Sequence, residues 1–142
     1  MKQLLKSKHG SVSLMFFGIA LALLLLSFLI IEVGGAYESY DYAMDVLQRS
    51  CNSAVEGNIM DEYRADGILL LDAAKAKEDF SRFVSSDLPS RYSISAYNIS
   101  ATAAPPSMTV TGVIRFPTLL SQFGFEELSF SFKVRATNYD LN

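Results

Sequence analysis

Residues 11–32 read SVSLMFFGIALALLLLSFLIIE, and how this stretch is read decides the rest of the chain. From Ser11 to Ile31 there is no charged residue over 21 positions. Coiled as an α-helix at ~1.5 Å per residue, the run reaches about 31 Å, close to the ~30 Å hydrocarbon thickness of a bilayer. A core helix of a water-soluble domain would show a polar face, whereas the polar members here are Ser11, Ser13 and Ser27. The run therefore reads as a membrane-spanning helix. Lys2, Lys6 and Lys8 precede it without an acid among the first ten residues. The excess of Lys on that side predicts a cytoplasmic N-terminus and a body outside. A cleaved export signal is the competing reading: its apolar core is usually ~7–15 residues long, and Gly34 and Ala36 offer a small-x-small site before Tyr37.

The 142 residues leave room for one domain beyond this helix. From residue 11 onward nine Lys/Arg stand against fifteen Asp/Glu, a net charge of −6. Such a body offers no basic footprint for nucleic acid. One His (His9), one Cys (Cys51) and no Trp exclude metal sites built on His/Cys clusters and triads built on His. A single Cys cannot close an internal disulfide, so Cys51 is either a small core hydrophobe or a thiol that pairs between subunits.

Downstream, AYESYDYAMDVLQRSCNSAVEGN places Ala36, Tyr37, Tyr40, Ala43, Met44, Leu47, Cys51, Ala54 and Val55 at steps of three and four. That period predicts one helix, or two collinear pieces, running from the membrane to about Val55 and ending at Gly57-Asn58. Residues 59–72 read as the entry to a second helix, with a short strand over GILLLD as the alternative. Asp72 is the expected N-cap of AAKAKEDFSRFVSSDL, whose apolar face is Ala73, Ala76, Phe80, Phe83 and Val84, and Pro89 is its stop.

Beyond Pro89 the period changes to two. Tyr92, Ile94 and Ala96 alternate with serines, and ATAAPPS reads as a loop held extended by Pro105-Pro106. MTVTGVIRF reads as a second strand with a slack point at Gly112. LSFSFKVRA is the clearest strand: Leu128, Phe130, Phe132, Val134 and Ala136 share one face, and Ser129, Ser131, Lys133 and Arg135 the other. The expected fold is α+β: a leader over 1–10, a transmembrane helix over 11–31, helices over 32–88, and an antiparallel sheet of about three strands over 89–142.

Candidate chemistry is sparse. DEYRADG (61–67) invites a calcium loop, but counting from Glu62 puts Arg64 at the third position and Ala73 at the twelfth, where a bidentate Glu is required. Asp61/Glu62 and Glu126/Glu127 read as solvated acids, and Asn98-Ile99-Ser100 is a formal glycosylation sequon. No constellation supports catalysis, a cofactor or a metal. Glu32 stands apart, because a carboxylate closing an apolar run is costly unless paired or hydrated.

The order basic tail, Gly10, small residues, apolar helix and IIEVGGAYESYDYAMDVLQ resembles class III signal peptides, in particular the TadE-like pseudopilins of tight-adherence pili. The tail RFPTLLSQFGFEELSFSFKVRA resembles that family's closing strand pair. The resemblance makes Gly10 the last leader residue and Ser11 the first mature one. It makes Glu32-Val33-Gly34 the motif at the end of the apolar helix. It implies processing by a membrane-embedded prepilin peptidase, and a minor pilin or pseudopilin whose partners are other pilin subunits, the assembly machinery and membrane lipid. One position departs from the pattern: pilin-like proteins usually carry Glu at the fifth mature position, and here it is Met15. The reading from another class is an uncleaved single-pass membrane protein with a small extracytoplasmic binding or sensing module.

Overall fold

The computed structural model describes residues 8–60 and 69–138. Its elements are helix α1 (Lys8–Glu56), helix α2 (Ala73–Asp87), strands β1 (Ser93–Thr102) and β2 (Ser107–Phe116), a 3-10 turn (Leu120–Phe123) and strand β3 (Leu128–Thr137). This is the expected α+β arrangement of a long apolar N-terminal helix, a second helix and a three-stranded antiparallel sheet. The chain divides after Gly35 into two units, just beyond the expected end of the span at Ile31, and each is taken by itself.

From Lys8 on the first unit is helical, and from Val12 to Ile31 its large apolar side chains are exposed, from 36% for Phe28 to 74% for Leu14. The Ser27 hydroxyl donates to the Leu23 carbonyl one turn back (2.8 Å), so this polar group is satisfied within the helix, as a lipid environment requires.

In the second unit, α1 from Ala36 to Glu56 buries Ala43, Val46, Leu47, Cys51, Ala54 and Val55, the expected stripe with two changes. Val46 joins the core, and Tyr37 is 68% exposed and leaves it. The helix ends at the expected place, where the Gly57 N–H bonds back to the Ser53 carbonyl (2.9 Å). Asn58, only 5% exposed, fastens that end: its amide nitrogen donates to the Ala54 carbonyl and to Asp79 of α2, each at 2.9 Å. The expected helix entry before Asp72 is corrected. Residues 61–68, with the DEYRADG loop, lie outside the described residues, and Leu71 forms a β-bridge with Ile59. The backbone N–H groups of Met60 and Asp72 are spent on this pairing, on the carbonyls of Leu70 and Asn58.

α2 starts as its sequence dictates. The Asp72 carboxylate accepts from the Lys75 N–H (3.1 Å), and Ala76, Phe80 and Val84 are buried one turn apart. Leu88 is extended (φ −87°, ψ 121°), the conformation that a following proline imposes.

The sheet is a meander in the order β1-β2-β3. Its inner face stacks Met108 between Ala101 and Ala136, Val110 between Ile99 and Val134, and Ile114 between Ile94 and Phe130. Three readings of the strand region are corrected. The alternation in β1 holds at Tyr92 and Ile94 but breaks at Ala96, where φ is +50° and the register shifts between Ser95 and Asn98. This bulge changes the phase, so Ile99 and Ala101 take the inner positions. Ala103–Pro106 form a turn with a cis Ala104–Pro105 bond, not an extended loop. Gly112 is a point of close approach, not slack: a Cβ there would lie 2.8 Å from Cε1 and 2.9 Å from Cζ of Phe132.

Rings gather at one end of the inner face. Tyr42 of α1 lies 6.1 Å from Tyr92, Tyr92 lies 5.7 Å from Phe116, Phe116 stacks on Phe130 at 5.7 Å, and Phe130 reaches Tyr40 of α1 at 5.3 Å. This chain of aromatic pairs fixes the α1 segment of the second unit against the sheet.

Candidate membrane and assembly surfaces

α1 is long and apolar enough to cross a membrane: a window of mean hydropathy 2.9 lies near the N-terminus and none of it is buried. Gly18 has nothing within 4 Å of where a Cβ would stand. Gly10 and Ser11 lie in the first turns of α1. Glu32, Val33 and Gly34 also lie inside α1, which continues through them to Glu56. Glu32 is 7% exposed, between Ile31 at 59% and Val33 at 61%. Glu32 is therefore a buried residue rather than a solvated one. Nothing in the local sequence besides its place at the end of the apolar run marks it.

In the second unit the candidate reactive groups fall apart. Among the described residues no three His, Cys, Asp or Glu side chains come together as a metal would need. Glu126 and Glu127 line an open cavity of about 450 Å³ with Arg115 and Ser129. A groove of about 440 Å³ between α2 and β1 is lined by Val84, Leu88, Ile94, Tyr92 and Tyr97 together with serines. The Tyr97 ring stacks on Phe80 at 5.9 Å. Burial raises its phenol above the ordinary value, while a hydrogen bond with Ser81 acts the other way. Asn98 is exposed on β1 opposite Thr111.

Cys51 is fully buried. Its Sγ lies 3.7 Å from the Met108 carbonyl, and burial pushes the thiol up to about 11, with a backbone hydrogen bond at Ala136 opposing. A thiol so enclosed cannot meet a second thiol while the unit is folded, so pairing between subunits through Cys51 is closed. Two results are expected. A thiol reagent labels the full chain only after unfolding. Between pH ~9 and ~11 the unfolded thiol has lost its proton while the folded one keeps it, so stability falls as pH rises. Comparison of thermal melts for the parent and Cys51→Ala checks this: the substitution removes that part of the alkaline slope.

The outer face of the sheet is a surface that the sequence pattern only half reveals. The register brings together Ser93, Ser95, Asn98, Ser100 and Thr102 of β1, the odd positions of β2 from Ser107 to Arg115, and those of β3 from Ser129 to Thr137. Apart from Asn98 and Val113 the neutral members are all Ser or Thr. The charged members are Arg115, Lys133 and Arg135, without a carboxylate. Arg115 shares its cavity with Glu126 and Glu127. Among the described residues neither Lys133 nor Arg135 has an acidic partner. The exposed face of α1 in the same unit has the opposite sign: Glu38, Asp41, Asp45 and Glu56 line it, with Arg49 the one cation. Alternation in LSFSFKVRA shows the β3 part of the outer face, but only the pairing register shows that the neighbouring strands extend it.

Comparison with protein-family models, with curated proteins and with solved structures finds no match to this chain.

Proposed function

We propose that this protein is a minor pilin or pseudopilin, a non-enzymatic structural subunit for pilus assembly, adhesion or export. Its N-terminus is cytoplasmic and its second unit lies outside the cytoplasmic membrane. The observation that carries the reading is α1 itself. One unbroken helix, Lys8–Glu56, presents bare apolar side chains over its first half and a half-buried amphipathic face over its second. Bare apolar surface of that extent needs lipid or the helices of other copies to cover it. A subunit that leaves a bilayer for a filament exchanges the first cover for the second, and Gly18, Ala20 and Ala22 allow close approach of neighbouring helices. Such a subunit carries no cofactor, and its other partners are the prepilin peptidase and the assembly machinery.

The resemblance at Gly10-Ser11 and at Glu32-Val33-Gly34 supports prepilin-type processing. The test is the intact mass of the protein purified from its native membrane. A chain beginning at Ser11 is the expected result, and Gly10→Leu is expected to leave the leader attached. A chain beginning at Met1 in the parent protein overturns the pilin reading in favour of an anchored module. One beginning at Tyr37 makes the apolar run a discarded export signal.

A further inference from the structure

We infer that the outer face of the sheet is a docking surface for a second copy of this chain, which presents the acidic face of its α1. The inference rests on the reading of the protein as an assembling subunit and names a surface that assembly would use.

Within the second unit the two surfaces are complementary in charge. Lys133 and Arg135 are two residues apart on β3, and at ~3.3 Å per residue their side chains leave the sheet about 7 Å from one another. Glu38, Asp41 and Asp45 occupy seven residue steps of α1, roughly 10 Å of helix at ~1.5 Å per residue. The two sets are opposite in sign, and Asp41 and Asp45, about 6 Å apart along the helix, come close to the spacing of the two cations. Farther along, Arg49 follows the acids on α1, and at the opposite end of the sheet Glu126 and Glu127 share a cavity with Arg115.

The two surfaces lie on different elements of the same unit, so the contact is heterologous. Each copy uses its sheet toward one neighbour and its helix toward another, which propagates a chain of subunits instead of closing a pair. The hydroxyls of Ser and Thr around the cations suit a polar, hydrated contact, with α1 lying along β3. The face bears no aromatic ring on which a sugar could stack, which favours the acidic helix over an acidic polysaccharide.

The size of the face says where the contact works. Three ten-residue strands at ~3.3 Å per residue and ~4.8 Å spacing present roughly 400 Å². That is about half of the ~800 Å² per partner in a stable complex. The contact is therefore weak between free copies and effective between copies held in one membrane, where confinement raises the local concentration.

The experiment places a benzophenone side chain at Ser131 in the full chain, reconstituted in liposomes, and maps the photoadduct by peptide mass. The expected adduct joins Ser131 of one copy to residues 38–49 of another. Lys133→Glu with Arg135→Glu lowers the yield about tenfold, as does Asp41→Lys with Asp45→Lys, since each introduces like-charge pairs. Mixing the two reversed chains restores it. All four positions are exposed, and unchanged melting of each variant shows that the loss is not unfolding.

A yield indifferent to charge reversal overturns the proposal, and so does an adduct elsewhere on the chain. It is also overturned if polygalacturonate beads capture the parent but not the sheet-reversed variant while no copy-to-copy adduct forms. The N-terminus is read on protein from native membranes. A chain that retains Met1 yet cross-links overturns the pilin reading alone, and one that begins at Ser11 without cross-linking overturns the docking surface alone.

Discussion

Gly112→Val is expected to unfold the second unit, and Gly112→Ala to lower its melting temperature by about 10 °C. The reason is the pairing of Gly112 with Phe132 across β2 and β3. A Cβ at 112 meets the far edge of the Phe132 ring at 2.8 and 2.9 Å and the Ser95 carbonyl of β1 at 3.2 Å. Phe132 is 4% exposed, so its ring has little room to swing aside, and on the other flank the obstacle is backbone. Overpacking of this kind costs ~1–3 kcal/mol per site, and Val adds two methyl groups to what Ala introduces. At ~0.05–0.15 kcal/mol per residue a domain of this size holds only ~5–15 kcal/mol in all, and each kcal/mol moves its melting point by ~4–8 °C. Circular dichroism melts of the full chain in detergent measure the shift. Phe132→Leu in the Gly112→Ala background removes the ring edge and is expected to recover part of the loss. A Gly112→Ala protein that melts with the parent would show that the ring yields freely.

Phe116→Ala is expected to cost ~3–5 kcal/mol, a large share of the stability of the unit. Phe116 is 1% exposed and stands at the middle of the ring chain, 5.7 Å from both Tyr92 and Phe130. Removing it takes away the buried ring and also its contacts with Tyr92 and Phe130, the two rings on which Tyr42 and Tyr40 of α1 rest. Phe116→Leu keeps most of the volume and is expected to lose less than half as much. A double-mutant cycle of Phe116→Leu with Tyr92→Leu should show a coupling of ~0.5–1.5 kcal/mol, the amount by which aromatic pairs exceed simple burial. Chemical denaturation of the full chain gives all four corners of the cycle.

Both experiments address residues whose role depends on partners far along the chain, which local sequence does not encode. Gly112 in MTVTGVIRF reads as a flaw in a strand until the register sets Phe132 against it. The same holds for Ala96. Its alternation with Tyr92 and Ile94 predicts an inward side chain, but the bulge turns β1 over so that Ile99 and Ala101 face inward. Val46 lies at the margin of the helical stripe, and only packing in the second unit decides that it is buried while Tyr37 is not. The outer sheet face is a further case, since Lys133 and Arg135 become a defined cationic surface only once hydroxyl-bearing strands are paired beside them.

What the sequence determined by itself is what depends on local period and local chemistry. The uncharged run from Ser11 to Ile31 forms a helix with bare apolar sides because its period offers no polar face. The steps of three and four after Ala36 place Ala43, Leu47, Cys51 and Ala54 in the core, and the helix stops at Gly57. The Asp72 carboxylate caps α2, and Pro89 ends it, through bonds and clashes within a few residues. The α+β class follows from the change of period after Pro89. Tertiary structure alone decided the register of the sheet, the bulge at Ala96 and the closeness of Phe132 to Gly112. Each of these depends on which residue stands opposite which across tens of positions. A one-residue slip in pairing exchanges the two faces of a strand, and no local pattern encodes that choice when serine, alanine and tyrosine alternate as loosely as they do in β1.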